Sequence, residues 1–254
     1  MRRDQLEHAI RTACQIIGSS EIIIVGSQAI LGTFNEDELP AAATMSVEVD
    51  ALPIAETNEE IAELADQIEG VAGEWSPFEE QHGFSIDGVD LTTAVLPQGW
   101  RERLVKVQNA NTAAPGGQPQ FTGWCPDKED LCVSKLCAYR EKDLNFVAAL
   151  LDARLVAADV IIDRLRMVPE EHAPEAGRAT NWVAALPNDD ADRYDYRLEW
   201  SADDAAFVAT CAEFPSLSWA ATSPESALLG LKRLVREVIE DLRRAGEPVP
   251  MPRR

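Results

Sequence analysis

The sequence predicts a two-domain protein of α+β or α/β class, and three observations carry that expectation. Up to about residue 168, short apolar runs alternate with segments of helical periodicity. From about residue 192, three strand-like segments precede one long amphipathic helix. The charge balance also changes, with residues 1–187 carrying net −17 and residues 188–254 net −4 out of −21 for the whole chain. We therefore expect a first domain over 1–168, a linker over 169–191 and a second domain over 192–254. Pro169, Pro174, Gly177, Pro187 and the polar run "NDDAD" mark the linker.

Each element has a local reason. "RDQLEHAIRTACQIIG" places apolar residues at helical spacing and ends on Gly18, a plausible C-cap; "EIIIVG" is the short continuous apolar run of a central strand. "SQAILGTF" reads as a helix that starts directly after that strand. "SVEVDAL" is a second strand, and "NEEIAELADQIEG" is a helix ending at Gly70. "FSIDGVDLTTAVL" reads as two short strands joined by an Asp87-Gly88 turn, the strongest short hairpin signal. A Gly/Pro/Gln-rich loop follows over 109–120, then one long helical tract from Asp127 to about Leu151, and a further helix, "VAADVIIDRLRMV", closing at Pro169. In the second domain the strands are "YDYRLEW", "AAFVATC" and "LSWAA". The last helix opens at Ser223, with Pro224 in its first position, and stops before Gly246. Leu228, Leu231, Leu234, Val235, Val238, Ile239 and Leu242 form its apolar stripe.

Composition narrows the function classes. A hydrophobic content of 46% supports a true core. No apolar run approaches a membrane span, and "MRRDQLEHAI" lacks the apolar run of a signal peptide, so we expect a cytoplasmic protein without membrane partners. A net charge of −21 argues against a broad nucleic-acid surface, which needs clustered Lys and Arg. The cysteines, Cys14, Cys125, Cys132, Cys137 and Cys211, are odd in number and match no zinc spacing, so they read as core thiols. The three histidines, His8, His82 and His172, are scattered and form no constellation.

The chemistry-bearing residues begin with Glu48 and Asp50 in "SVEVD". In an extended strand they point the same way, about 7 Å apart, and like charges so placed repel unless a cation lies between them. An exposed face at a sheet edge would produce the same pattern. Asp90, past the expected turn, shares a face with Thr92 and on a neighbouring strand would join the pair. Three such acids suit Mg²⁺, which takes oxygen ligands and keeps substrate phosphates among them. With no metal present, at least one of the three should have a raised pKa. Gly26 and Ser27, between a strand and an expected helix, would cradle phosphates. Lys135 and Lys142, seven apart, fall on nearly one helical face with Arg140 close by; a solvated face is the other reading. Trp100 and Arg101 could stack on a base, although a Trp after Gly is more often a packing anchor.

The order Gly-Ser, acid-x-Asp, Asp resembles the nucleotidyltransferase superfamily, and more closely a bacterial branch related to the toxins of abortive-infection systems. The matching stretches are "GSQAILG" (26–32), "SVEVDALP" (46–53), "LPQGWRERL" (96–104) and "DLCVSKLCAYREKD" (130–143), within roughly residues 1–167. The resemblance implies a mixed sheet with flanking helices and a helical extension. It also implies a nucleoside triphosphate substrate, Mg²⁺ or Mn²⁺ on Glu48, Asp50 and Asp90, and Asp90 activating the attacking hydroxyl. It departs from the usual pattern at Glu48, where Asp is commoner, and in the length between Gly-Ser and the acid pair. Residues 193–250 resemble a HicB-like antitoxin domain, through "LEWSADDAAFVATCAEFPSLSWAATSPESALLGL" and "VIEDLRRAGEPVP". Together these resemblances imply a toxin–antitoxin-type fusion. Its transferase domain modifies a tRNA, protein or small-molecule acceptor, and its tail restrains that domain or recruits a HicA-like toxin. The alternative is a non-catalytic protein using a degenerate transferase fold as a scaffold.

Overall fold

The computed structural model describes residues 1–186, 191, 194–202 and 204–252. It divides into two compact units, 1–183 and 184–254.

In the first unit a five-stranded sheet is assembled from β1 (Glu21–Val25), β2 (Glu48–Leu52), β3 (Ser85–Gly88), β4 (Val105–Val107) and β5 (Thr122–Cys125), in the order β3-β2-β1-β5-β4. Strand β1 runs antiparallel to β2 and parallel to β5, and β2 runs parallel to β3. The period-2 geometry of strands sorts their residues. Ile22, Ile24, Val49, Ala51 and Ile86 enter the main core, while Ile23, Val25 and Leu52 face the other side with Glu48 and Asp50.

The main core is closed by α1 (Arg3–Ile17), whose Leu6, Ala9, Ile10, Ala13 and Cys14 are buried, and which ends in the left-handed cap at Gly18. Helix α2 (Asn58–Ala72) opens with a capping box in which Thr57 accepts from the Glu60 amide and the Glu60 side chain accepts from the Thr57 amide; it runs past the expected end at Gly70. A short helix, α3 (Pro77–His82), was not expected.

Three expectations change here. The Asp87-Gly88 pair does not turn a hairpin: β3 is a single strand along β2, and Gly88 lies so close to α2 that a Cβ there would sit 1.9 Å from the Ala65 carbonyl oxygen. The long tract after Asp127 is two helices, α4 (Lys128–Ala138) and α5 (Glu141–Asp152), broken where Tyr139 adopts a left-handed conformation with φ 57°. Helix α6 (Ala158–Leu165) matches expectation. The stretch expected to be a connector carries helix α7 (Ala173–Ala185), and its Ala176, Ala179 and Val183 belong to the first unit's core. Residues 187–190 of that expected linker, residues 192 and 193 at the start of the expected second domain, and Asp203 of the acidic "SADD" segment lie outside the described residues.

The second unit is the antiparallel sheet β6 (Tyr196–Ser201), β7 (Ala206–Cys211), β8 (Ser218–Ala221), crossed by α8 (Pro224–Ala245). Its core joins Ala209, Cys211 and Phe214 to Ala227, Leu231, Val235 and Ile239. The helix begins at the Ser223 cap and stops at left-handed Gly246, as the sequence predicts. All five cysteines are free and buried, consistent with core thiols. Among the described residues no helix is long and apolar enough to cross a membrane.

Candidate functional site

A cavity of about 480 Å³ opens on the sheet face that carries Glu48 and Asp50. Gly26, Ser27, Glu48 and Asp50 line one side of it, and Ser134, Lys135, Arg140, Lys142 and Asp143 line another. Its volume is that of a small-molecule or nucleotide site.

The floor follows from strand geometry. Val25 is paired with Asp50, so the chain leaves β1 directly beside that carboxylate and turns at Gly26. Gly26 has φ 69° and ψ −174°, a conformation essentially closed to other residues. A Cβ at this position would stand 1.7 Å from Asp50 Oδ2. Absence of a side chain is thus a condition for the carboxylate to occupy its place. The segment after Gly26 is a six-residue 3-10 helix, Ser27–Gly32, in place of the expected α-helix. It is too short to contribute a helix dipole, so any phosphate cradle rests on Gly26, Ser27 and the facing cations.

Two of those cations, Lys135 and Arg140, are held by a single buried acid. Asp143 is 2% exposed, accepts from Arg140 Nε at 2.6 Å and Nη2 at 3.3 Å, and stands 3.6 Å from Lys135 Nζ. The sequence reading placed Lys135 and Lys142 on one helical face. The break at Tyr139 removes that reason, and the α4–α5 corner brings both to the cavity instead. Burial lowers the Lys135 pKa, and Asp143 and Asp50 partly offset this. Burial, then the neighbouring Glu48, raises Asp50, while Lys135, Lys142 and Arg140 pull it back down. A raised carboxylate is what the sequence led us to expect of one of the three acids.

Asp90 stands apart from this group. With no second strand after Gly88, it lies in an exposed turn, and its Oδ1 accepts from the Thr92 amide at 2.8 Å and the Thr92 hydroxyl at 2.6 Å. These bonds lower its pKa, and it lines a separate cavity. Asp87 takes the place expected of it. Parallel pairing sets Asp87 opposite Asp50 and Ser85 opposite Glu48, so Asp87 shares the face of the acid pair. Burial first, then its hydrogen bond to Glu48 and that group's charge, push Asp87 up to about 7, and its Oδ1 is buried without a partner. The signal was available in the sequence: "SID" repeats the polar-apolar-polar alternation of "EVD". The Asp-Gly turn signal masked it.

Among the described residues no group of three or more His, Cys, Asp or Glu side chains is arranged to hold a metal ion. Glu48 and Asp50 nevertheless fit Mg²⁺, which is commonly held by one or two carboxylates with substrate phosphates as the remaining ligands. Both line a cavity with room for those phosphates and offer hard oxygen donors, and the missing Cβ at Gly26 leaves space for Asp50 Oδ2.

A family model described as a nucleotidyltransferase of unknown function (DUF6036) matches residues 4–171. No curated protein and no solved structure matches the chain.

Proposed function

Since the chain belongs to this nucleotidyltransferase family of unknown function, we propose that its first unit transfers a nucleotidyl group from a nucleoside triphosphate to an acceptor. The observation that carries the reading is the opposition, across one cavity, of the Glu48–Asp50 pair and Gly26-Ser27 to Lys135, Arg140 and Lys142. Only a ligand with both a metal-binding anion and excess negative charge satisfies both walls at once, and a triphosphate is such a ligand.

In this reading the acceptor oxygen or nitrogen bonds to the α-phosphorus as pyrophosphate departs with the electron pair of the broken P–O bond. Lys135, Arg140 and Lys142 neutralise the phosphates and hold the leaving group, with Asp143 fixing Lys135 and Arg140. Ser27 and the Gly26 backbone position the phosphates. Glu48 and Asp50 would hold Mg²⁺ or Mn²⁺, whose chemistry is charge neutralisation at the reacting phosphate. Asp87, opposite Asp50 on the same sheet face and hydrogen-bonded to Glu48, is the third carboxylate; it lines neither cavity itself, and in this reading the proton of the acceptor passes to this acid cluster. The test is release of pyrophosphate and labelling of an acceptor from α-labelled nucleoside triphosphates with Mg²⁺. Asp50→Ala should remove transfer while leaving the folded protein intact.

For the second unit we propose a HicB-like module that restrains the transferase or recruits a HicA-like partner. The β6-β7-β8 meander crossed by α8 supports that resemblance. The alternative, a non-catalytic scaffold, draws support from the lack of a ready three-acid metal group among the described residues. Triphosphate binding without transfer to any acceptor would favour it.

A further inference from the structure

A second cavity, of about 190 Å³, adjoins the first. The two share Ala94, and their floors are neighbouring positions: Gly26, just past β1, and Asp50 of β2 in the first, Val25 of β1 and Leu52 of β2 in the second. Asp50 and Leu52 point to the same side of β2, so the second floor begins about 7 Å from the carboxylate. That is the place an acceptor must occupy to reach a phosphate lying over Asp50.

The lining of this cavity differs in chemistry from its neighbour. Trp100, Leu91, Val95, Leu96 and Pro169 supply apolar and aromatic surface, while its ionisable groups are Asp90, Glu171 and His172, with no lysine or arginine. Arg101 lies over the Trp100 ring, 4.7 Å from its centroid, but does not line the cavity. The walls are firmly built. Arg103, in the same turn as Trp100, makes a two-pronged ion pair with fully buried Asp130, at 2.7 and 3.1 Å, and also donates to the Gln98 carbonyl. The Gln98 amide donates to the Met167 carbonyl at 2.8 Å, which ties the Trp100 turn to the segment carrying Pro169, Glu171 and His172.

We propose that this cavity is the acceptor subsite, and that it takes the protonated-amine end of a small cationic acceptor. The assignment rests on the transferase reading above for its purpose, though not for its binding chemistry. An aromatic face beside carboxylates attracts a cation and repels phosphate, so an RNA acceptor, whose backbone would lie against Asp90 and Glu171, is disfavoured. The division of charge between the cavities also keeps the two substrates apart, since the triphosphate finds cations only in the first and the amine finds carboxylates without competing cations only in the second.

The probe is spermidine, titrated by calorimetry at constant ionic strength into the full chain. Saturable binding at one site is expected. Asp90→Asn combined with Glu171→Gln should weaken it roughly tenfold or more, as should Trp100→Leu. Glu237→Gln combined with Asp241→Asn, which removes the same charge from α8, should leave it unchanged. Because Trp100 also packs against the small apolar cluster of Ile23, Val25, Leu52 and Ile61, thermal melting is read for every variant, and the polar double variant decides the matter if Trp100→Leu fails to fold. Equal weakening by both double variants would reduce the interaction to attraction by an acidic surface and overturn the proposal. So would absence of binding, or adenosine displacing spermidine and binding regardless of Asp90 and Glu171. Triphosphate binding is measured in parallel. Its loss with spermidine binding intact would defeat the transferase reading alone, whereas its presence without spermidine binding would defeat the acceptor subsite alone.

Discussion

Replacing Gly26 with alanine is the sharpest perturbation available at the proposed transfer site. The added Cβ would stand 1.7 Å from Asp50 Oδ2, where an ordinary carbon–oxygen contact needs about 3.3 Å, so one of the two must move by about 1.5 Å. The backbone cannot yield cheaply. With φ 69° and ψ −174°, any residue with a side chain carries a strain of about 1–3 kcal/mol there. Asp50 is therefore expected to rotate away, and a displacement beyond about 1 Å in a reacting constellation costs about 100-fold in rate. Gly26→Ala should lower nucleotide transfer by at least that factor and reduce unfolding free energy by about 1–3 kcal/mol. Gly70→Ala is the control. Gly70 is exposed on α2, a Cβ there meets nothing within 4 Å, and alanine should stabilise the helix by about 0.5–1 kcal/mol without touching transfer. Urea denaturation and pyrophosphate release measure the two effects separately. If Gly26→Ala transfers at the parent rate with unchanged stability, the close approach of Gly26 to Asp50 has no functional weight and the reasoning fails.

Three further outcomes are expected. Asp87→Asn should lower kcat by about 100-fold or more, whereas Asp90→Asn should leave kcat within about threefold and act through the acceptor KM, in steady-state assays that separate the two constants. Acid should weaken the fold through His8, which packs against Phe78, His82 and Phe84; burial first, then Arg11 and His82, depress it to about 4. The neutral ring is the one the fold prefers, so its contribution is complete above about pH 6.5 and is lost as pH falls from there toward 4. Linkage over that window corresponds to about 3 kcal/mol, which solvent screening of the half-buried ring reduces to about 1–2 kcal/mol; in urea melts His8→Gln should lessen the loss between pH 7 and 4.5 by that amount. A chain ending at residue 186 should fold, and if the tail restrains the transferase it should transfer faster than the full chain. Ending the chain at residue 168 instead removes Ala176, Ala179 and Val183 from the core and should lower the melting temperature measurably.

What the sequence determined by itself was whatever depends on neighbours along the chain. The period of "EIIIV" and "SVEVDAL", the stop at Gly18, and the Ser223-Pro224 start and Gly246 end of the last helix are local choices of backbone conformation, and each is found where the residues place it. The shared face of Glu48 and Asp50 is of the same kind, because alternation needs only that the segment be a strand. What only the tertiary structure decided was which strand lies next to which. Asp87-Gly88 is a good hairpin turn in isolation, but α2 lies so tightly against Gly88 that the chain continues along β2. That choice places Asp87 beside Asp50 and leaves Asp90 at a different cavity. Lys135 and Lys142 reach one cavity through the corner at Tyr139, not through a continuous helix face, and the prolines of 169–185 did not prevent a helix that the first core could bury. In these cases a local preference worth about 1 kcal/mol gave way to packing between residues far apart in the chain, such as α2 against Gly88 and Ala176, Ala179 and Val183 in the first core.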